Sequence, residues 1–286
     1  MQIVRQIRVF PRRTRATPCD DDVRIGPPGL FDMDVERVCV SVAFTWDLPE
    51  AERIARLWSE RAATEIGGPA VGTVGGDFEP GRFLRPGYTI TSRGCPERCW
   101  FCGAWKRDGA TARELPIREG WNVLDDNLLA CSEQHIRSVF AMLARQPERV
   151  EFTGGLHAAR LKPWHVDILC GLRPRPAIWL AYDEERDLDP LREACRMLTD
   201  AGWRRQLLRA YVLCGYPRDT YSAAEGRMRA VMACGADPMA MVYRGADGVE
   251  ADGWHAWARQ WIRPACIHSA NKRPTSFRLS RERSDP

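Results

Sequence analysis

Three cysteines crowd the decapeptide GCPERCWFCG (94–103), at Cys95, Cys99 and Cys102. Thiolates bind soft and borderline metals, and three of them on one short loop converge on a single inorganic centre with little chain entropy left to lose. A structural zinc takes four ligands, commonly as two separated pairs. The chain offers no second C-x2-C and no H-x3-H, so a lone residue such as Cys131 would have to complete a zinc site. An iron-sulfur cube ligated at three corners leaves one iron free, which a purely structural or electron-transfer cluster does not need. An open iron is a place for a substrate to bind.

The remaining composition narrows the class. Eleven cysteines in 286 residues are an odd number, and the basic N-terminus MQIVRQIRVFPRRTR has apolar stretches too short for a signal-peptide core. The expectation is a cytoplasmic protein with reduced thiols. Its eight scattered cysteines (Cys19, Cys39, Cys131, Cys170, Cys195, Cys214, Cys234 and Cys266) are then read as small buried hydrophobes. A net charge of +4 is too mild to announce a nucleic-acid binder. No apolar run approaches the ~18 residues that would span a bilayer, so no membrane partner is expected.

Around the cysteines, the elements that must position them are legible as an alternation. RVCVSVAFTW (37–46) reads as a buried strand, DLPEAERIARLWSERA as a helix with Pro49 in its first turn, and TEIGGPAVG as a second strand, together a β-α-β unit. Residues 72–87 are dense in Gly and Pro and read as a linker. Six strand signals follow, at 88–92, 122–125, 149–155, 177–183, 209–215 and 238–243. Helical patterns such as SEQHIRSVFAMLARQ, DPLREACRMLTDAG and YSAAEGRMRAVMACG separate most of them. Strands joined by crossover helices predict a parallel sheet, and curling it gives a full or partial barrel. Chemistry in such barrels collects at the strand C-terminal ends, where the cysteine loop lies. From 251 the tail begins as a Trp-rich amphipathic helix, and its last fifteen or so residues read as mobile.

C-x3-C-x2-C with an aromatic residue before its last cysteine, on the loop after the first strand of a β/α barrel, resembles the radical S-adenosylmethionine (SAM) superfamily. The likeness covers roughly residues 88–245. It implies an α/β fold: a partial (β/α)6 TIM-like radical SAM barrel over 87–250, preceded by a short Rossmann-like β-α-β region over 1–86 and followed by a helix and tail over 251–286. It also implies that Cys95, Cys99 and Cys102 hold a 4Fe-4S cluster whose fourth iron is chelated by SAM, with Phe101 near the adenine. EFTGGLHA (151–158) resembles the glycine motif that receives the SAM amino group, through Thr153, Gly154 and Gly155, although the family's acidic residue is Leu156 here. NVLDDNL (122–128) resembles the Asp-rich strand end of the cobalamin-associated branch, so that Asp125, Asp126 or Asn127 would supply the polar contact. CGYPRDT (214–220) resembles that branch's Gly-x-Pro turn, with Gly215 approaching the ligand. The implied reaction is reductive cleavage of SAM to a 5'-deoxyadenosyl radical that takes hydrogen from an unidentified substrate. A one-electron donor of the flavodoxin or ferredoxin type would drive it.

Other readings stay open beside this one. Gly-Gly after a strand is commonly only a turn, and Asp125 and Asp126 can cap a helix. Residues 1–90 contain no histidine, which closes the D-x-H-x-x-G route to cobalamin but not base-off binding. Methylthiotransferases carry three N-terminal cysteines for a second cluster, where this chain has Cys19 and Cys39. Of the five histidines, His157 lies at the expected mouth and is the candidate to meet substrate. His135, His165, His255 and His268 are expected on helix surfaces. Trp100, Trp105 and Trp121, with Arg98, Lys106 and Arg107, are suited to stack a base and hold the phosphate of a nucleotide or nucleic acid, or else to shield the cluster. The alternatives are a non-catalytic, zinc- or cluster-stabilised nucleic-acid-binding module and a barrel that keeps a cluster without cleaving SAM.

Overall fold

The computed structural model describes residues 5–30, 32, 34–245, 248–262 and 267. The first unit is larger than the β-α-β expected from the sequence. Strands β1 (Gln6–Phe10), β2 (Val23–Ile25), β3 (Arg37–Ser41) and β4 (Ala63–Gly67) form one sheet in the order β2-β1-β3-β4. All its pairings are parallel, with Val38 opposite Ile7 on one side and Thr64 on the other. Helix α1 (Leu48–Ser59) crosses from β3 to β4 and buries Ala51, Ile54, Ala55 and Trp58, one stripe at helical spacing. These residues close a core with Ile7, Val9, Val38, Val40 and Val42, and the Trp58 indole donates to the Gly26 carbonyl at 3.1 Å.

The Gly/Pro-rich segment read as a linker is tied down at several points. The Gly75 N–H donates to Asp108 Oδ1 at 2.8 Å, Arg8 Nη1 to the Gly81 carbonyl at 2.9 Å, and the Arg85 N–H to the Ala16 carbonyl at 2.9 Å. Phe78 packs with Ile90 and Leu115 in a small core of its own. The segment is a strap that binds the first unit to the cysteine loop.

Six parallel segments follow in the expected order, the first four shorter than expected and the last two at their expected length. Strand β5 (Tyr88–Thr89) precedes β6 (Ser92–Arg93), α2 (Ala104–Asp108) and β7 (Arg113–Glu114), of which β6 and β7 pair antiparallel beneath the loop. Then come β8 (Asn122–Val123), α3 (Glu133–Leu143), α4 (Pro163–Gly171), β9 (Ile178–Ala181), α5 (Leu188–Asp200), β10 (Leu208–Cys214), α6 (Tyr221–Ala233), β11 (Asp237–Val242) and α7 (Trp254–Ala258). The strand expected at 149–155 survives as single parallel bridges from Glu151 to Asn122 and to Ala177. Parallel pairing therefore runs β5–β8, through Glu151, to β9, β10 and β11 in chain order. Among the described residues β11 and β5 share no pairing, so hydrogen bonds close no barrel.

Helices α3, α5 and α6 bury Ile136, Val139, Phe140, Leu191, Leu198, Met228 and Val231 in one continuous core with Phe152, Leu180 and Val212. The Trp-rich start of the tail packs onto it: Trp254 and Trp257 lie against Tyr221 at 4.6 and 5.9 Å. No described helix is long and apolar enough to cross a membrane. The tail predicted to be mobile lies outside the described residues.

Candidate functional site

The cysteine loop is held from below by three consecutive side chains at the end of β8. Asp125, 3% exposed, accepts the Thr91 N–H and the Thr91 hydroxyl at 2.6 Å each and the Ser92 hydroxyl at 2.8 Å. Burial pushes its carboxyl above the usual range, and those same donors pull it back. Asp126 Oδ2 accepts the Gly94 N–H at 2.8 Å, while Oδ1 faces Arg107 and Arg93 at 3.6 and 3.7 Å. Asn127 Nδ2 reaches Cys95 Sγ at 3.4 Å. The helix-capping alternative for the aspartates gives way here, because the cap of α3 is Ser132, whose hydroxyl accepts the His135 N–H at 3.2 Å.

Within the loop, the Trp105 indole and the Cys102 N–H both bind the Cys99 carbonyl, at 2.9 and 3.1 Å. All three loop cysteines are free thiols of intermediate exposure. Burial, then the neighbouring Cys102 and Cys95, push the Cys99 thiol up to about 11, and burial also raises Cys102. Such thiols become ligands when a cation replaces their protons. Among the described residues no three His, Cys, Asp or Glu are gathered as around one metal ion. The Cys131 thiol is raised by burial and by Asp125 and Glu114 and binds Ser92, with no influence from the loop cysteines among those causes. The donor set, three thiols on one short loop without a histidine, is of the chemical type that an iron-sulfur cluster takes. Asn127 adds an unspent acceptor: it is 4% exposed, and its Oδ1 is buried without a hydrogen-bond partner.

The glycines serve the backbone. A Cβ on Gly154 would lie 2.6 Å from the Asp125 carbonyl, so this glycine lets the third strand end press against the clamp. Gly155 turns the chain at φ +83°, and Leu156 is buried in the core. The Thr153 hydroxyl binds Asn122 Oδ1 at 2.6 Å, and its carbonyl accepts the Tyr211 hydroxyl at 3.3 Å. Gly215, expected to approach a ligand, instead makes room for Trp254, whose ring atoms lie 2.8 Å from where its Cβ would be.

Aromatic side chains join the loop to the far strand ends. Trp100 meets Phe101 edge-on at 5.4 Å and reaches Tyr216, after β10, at 5.8 Å and Tyr243, after β11, at 5.4 Å. Trp121, expected beside the loop, sits at the opposite end of the strands, where a Cβ on Gly87 would overlap its ring. His157 lies 3.4 Å from Glu97 of the cysteine loop, outside hydrogen-bond geometry, and Arg160 Nε holds the same carboxylate at 2.7 Å. His135 and His165, expected on helix surfaces, are 8% and 2% exposed; His268 lies outside the described residues. Of the scattered cysteines, Cys39, Cys195 and Cys214 are buried as expected, whereas Cys19 is exposed.

Sequence reasoning passed over two acids at this end of the sheet, Glu97 and Asp183. Asp183 follows β9, accepts the Leu213 N–H at 2.9 Å, and is pushed up to about 7, first by burial and then by Asp187 and Glu184. Its charge acts on Cys99. An acid at a strand's C-terminal end was the available signal.

No protein-family model matches this chain, and no curated protein matches it.

Replacing Asp125 with Ala would leave three buried donors unpaired, at a cost of about 3 kcal/mol or more. The urea midpoint should fall well below that of the wild type, and an unchanged midpoint would remove Asp125 from its role as the clamp. A pH effect follows from His165. Burial, then the charge of Lys162, lower it from 6.5 to about 4. The unfolded chain thus takes up a proton that the fold refuses, and stability should fall as pH drops through that window. In His165→Phe the urea midpoint should be lower overall but flatter between about pH 6.5 and 4.

Proposed function

We propose that the chain is a radical SAM enzyme in which Cys95, Cys99 and Cys102 hold a 4Fe-4S cluster and SAM binds at the open iron. One observation carries this reading: three free thiols at C-x3-C-x2-C spacing sit on a loop fastened by Asp125, Asp126 and Asn127. The reading takes the six parallel segments as a partial (β/α)6 barrel, and their pairing in chain order supports it. A cluster held there would supply one-electron reduction of bound SAM, the chemistry that starts hydrogen abstraction from a substrate.

The chain's own residues would do the rest. Asp125 and Asp126 fix the loop backbone, so the thiols need little reorganisation on metallation. The Asn127 amide donates to the Cys95 sulfur, and its free Oδ1 is an acceptor for a ligand amine. Trp100, Tyr216 and Tyr243 cover the loop and restrict water. Phe101 stays the candidate for the adenine, and His157, turned toward Glu97, the weaker candidate for substrate contact. An external flavodoxin- or ferredoxin-type reductant and a cytoplasmic setting that keeps thiols reduced belong to the same proposal.

Substituting any one of the three cysteines with Ala should abolish the absorbance of anaerobically reconstituted protein near roughly 400 nm, along with its bound iron and sulfide. Absorbance that survives all three changes would refute the ligand assignment, and one zinc without iron would favour the nucleic-acid-binding module. Asn127→Ala should keep the chromophore but shift its midpoint potential to more negative values, because hydrogen bonds to cluster sulfurs raise the potential. A redox titration followed by optical or EPR spectroscopy reads that shift.

A further inference from the structure

A concavity of about 440 Å3 opens beside the cysteine loop, and Glu97, Glu133, Arg160, Lys162, Trp164 and His165 are among the residues that wall it. None of the three loop cysteines lines it. Its size falls within the range of small-molecule sites, about 300–1,000 Å3.

The polar groups on its wall are unevenly spent. Glu97 is taken by Arg160 at 2.7 Å, and Glu133 by Arg137 at 2.8 Å. Lys162 has no acid partner among the described residues. His165 is 2% exposed, and its Nδ1 accepts the Lys162 N–H at 3.0 Å, which leaves the ring hydrogen on Nε2. That Nε2 is buried without a well-aligned hydrogen bond, and the Arg160 backbone carbonyl is the one acceptor that acts weakly on the ring. Trp164 packs against the imidazole at 3.8 Å and fixes its orientation. Helices α3 and α4, of 11 and 9 residues, both begin at this wall and add the partial positive charge of their N-termini. What remains unspent is an ammonium and an N–H donor, beside apolar surface from Leu129 and Ile136.

We propose that this cavity binds a small oxyanion, the carboxylate or phosphate of a ligand with a short apolar body, through Lys162 and the Nε2–H of His165. The ring is neutral at pH 7, because burial lowers it to about 4, so it serves as a donor of fixed tautomer. The site adjoins the cysteine loop through Glu97 and is also lined by His157, but neither of its two anion donors is a cluster ligand, so it does not depend on the radical SAM reading.

The 286-residue chain labelled with 15N-histidine has five imidazoles to resolve. Long-range 15N–1H spectra at pH 7 should show His165 as the Nε2–H tautomer. Titration with sodium phosphate, and separately with sodium butyrate, against chloride at constant ionic strength should move its Nε2 resonance saturably in at least one series. A phosphate-only response assigns a phosphorylated ligand, and a butyrate-only response a carboxylate. Lys162→Gln, at the exposed rim, should weaken the response about tenfold, whereas Cys95→Ala should leave it unchanged. No saturable movement with either anion, or a response that Lys162→Gln does not alter, would overturn the proposal while leaving the cluster assignment untouched.

Discussion

A buried carboxylate with three hydrogen-bond donors is the constraint on which the site rests. Asp125 lies almost wholly out of water and takes the backbone and hydroxyl of Thr91 and the hydroxyl of Ser92. Burying an acid is costly unless its oxygens are satisfied, so the arrangement is stable only when the chain after β5 comes to the strand end in one conformation. Asp126 and Asn127 extend the same grip to Gly94 and Cys95. Gly154 permits it from the other side, since any side chain there would strike the Asp125 carbonyl. Four strand ends or loops are thereby locked around one acid, and the thiols inherit their positions from it.

The helices were legible because apolar spacing reports a buried stripe whatever the stripe packs against. Residues Ala51, Ile54, Ala55 and Trp58 on α1 and Leu191, Ala194, Cys195 and Leu198 on α5 show it directly. The strands β1 and β2 were passed over although QIRVF alternates polar residues with buried Ile7 and Val9, because they span only five and three residues and lie among charged side chains, of which Arg8 is satisfied by Asp20 and by distant strap carbonyls. The strand at 149–155 shrank to Glu151 because the turn at Gly154 and Gly155 ends the pairing that its apolar residues suggest.

At the site, the three cysteines could be read from spacing alone, but their support could not. Asp125 finds its partners 33 and 34 positions away, and Glu97 finds Arg160 at a separation of 63. No local pattern encodes such pairs, which is why the aspartates read equally well as helix caps. His165 misled for a related reason: it occupies a buried position in the first turn of α4, and its bond to the Lys162 N–H ties it to the backbone. The linker likewise reads as slack from its glycines and prolines, until Asp108 and Arg8 are seen to hold it.

The loop's two attachments differ in kind. Its inner edge is gripped by directional, water-free polar bonds, whereas Trp100, 45% exposed, only leans on Tyr216 and Tyr243. Ring contacts tolerate sliding that a buried carboxylate does not. The outer side of the loop can therefore shift against the tyrosines while the buried bonds keep its inner edge in place.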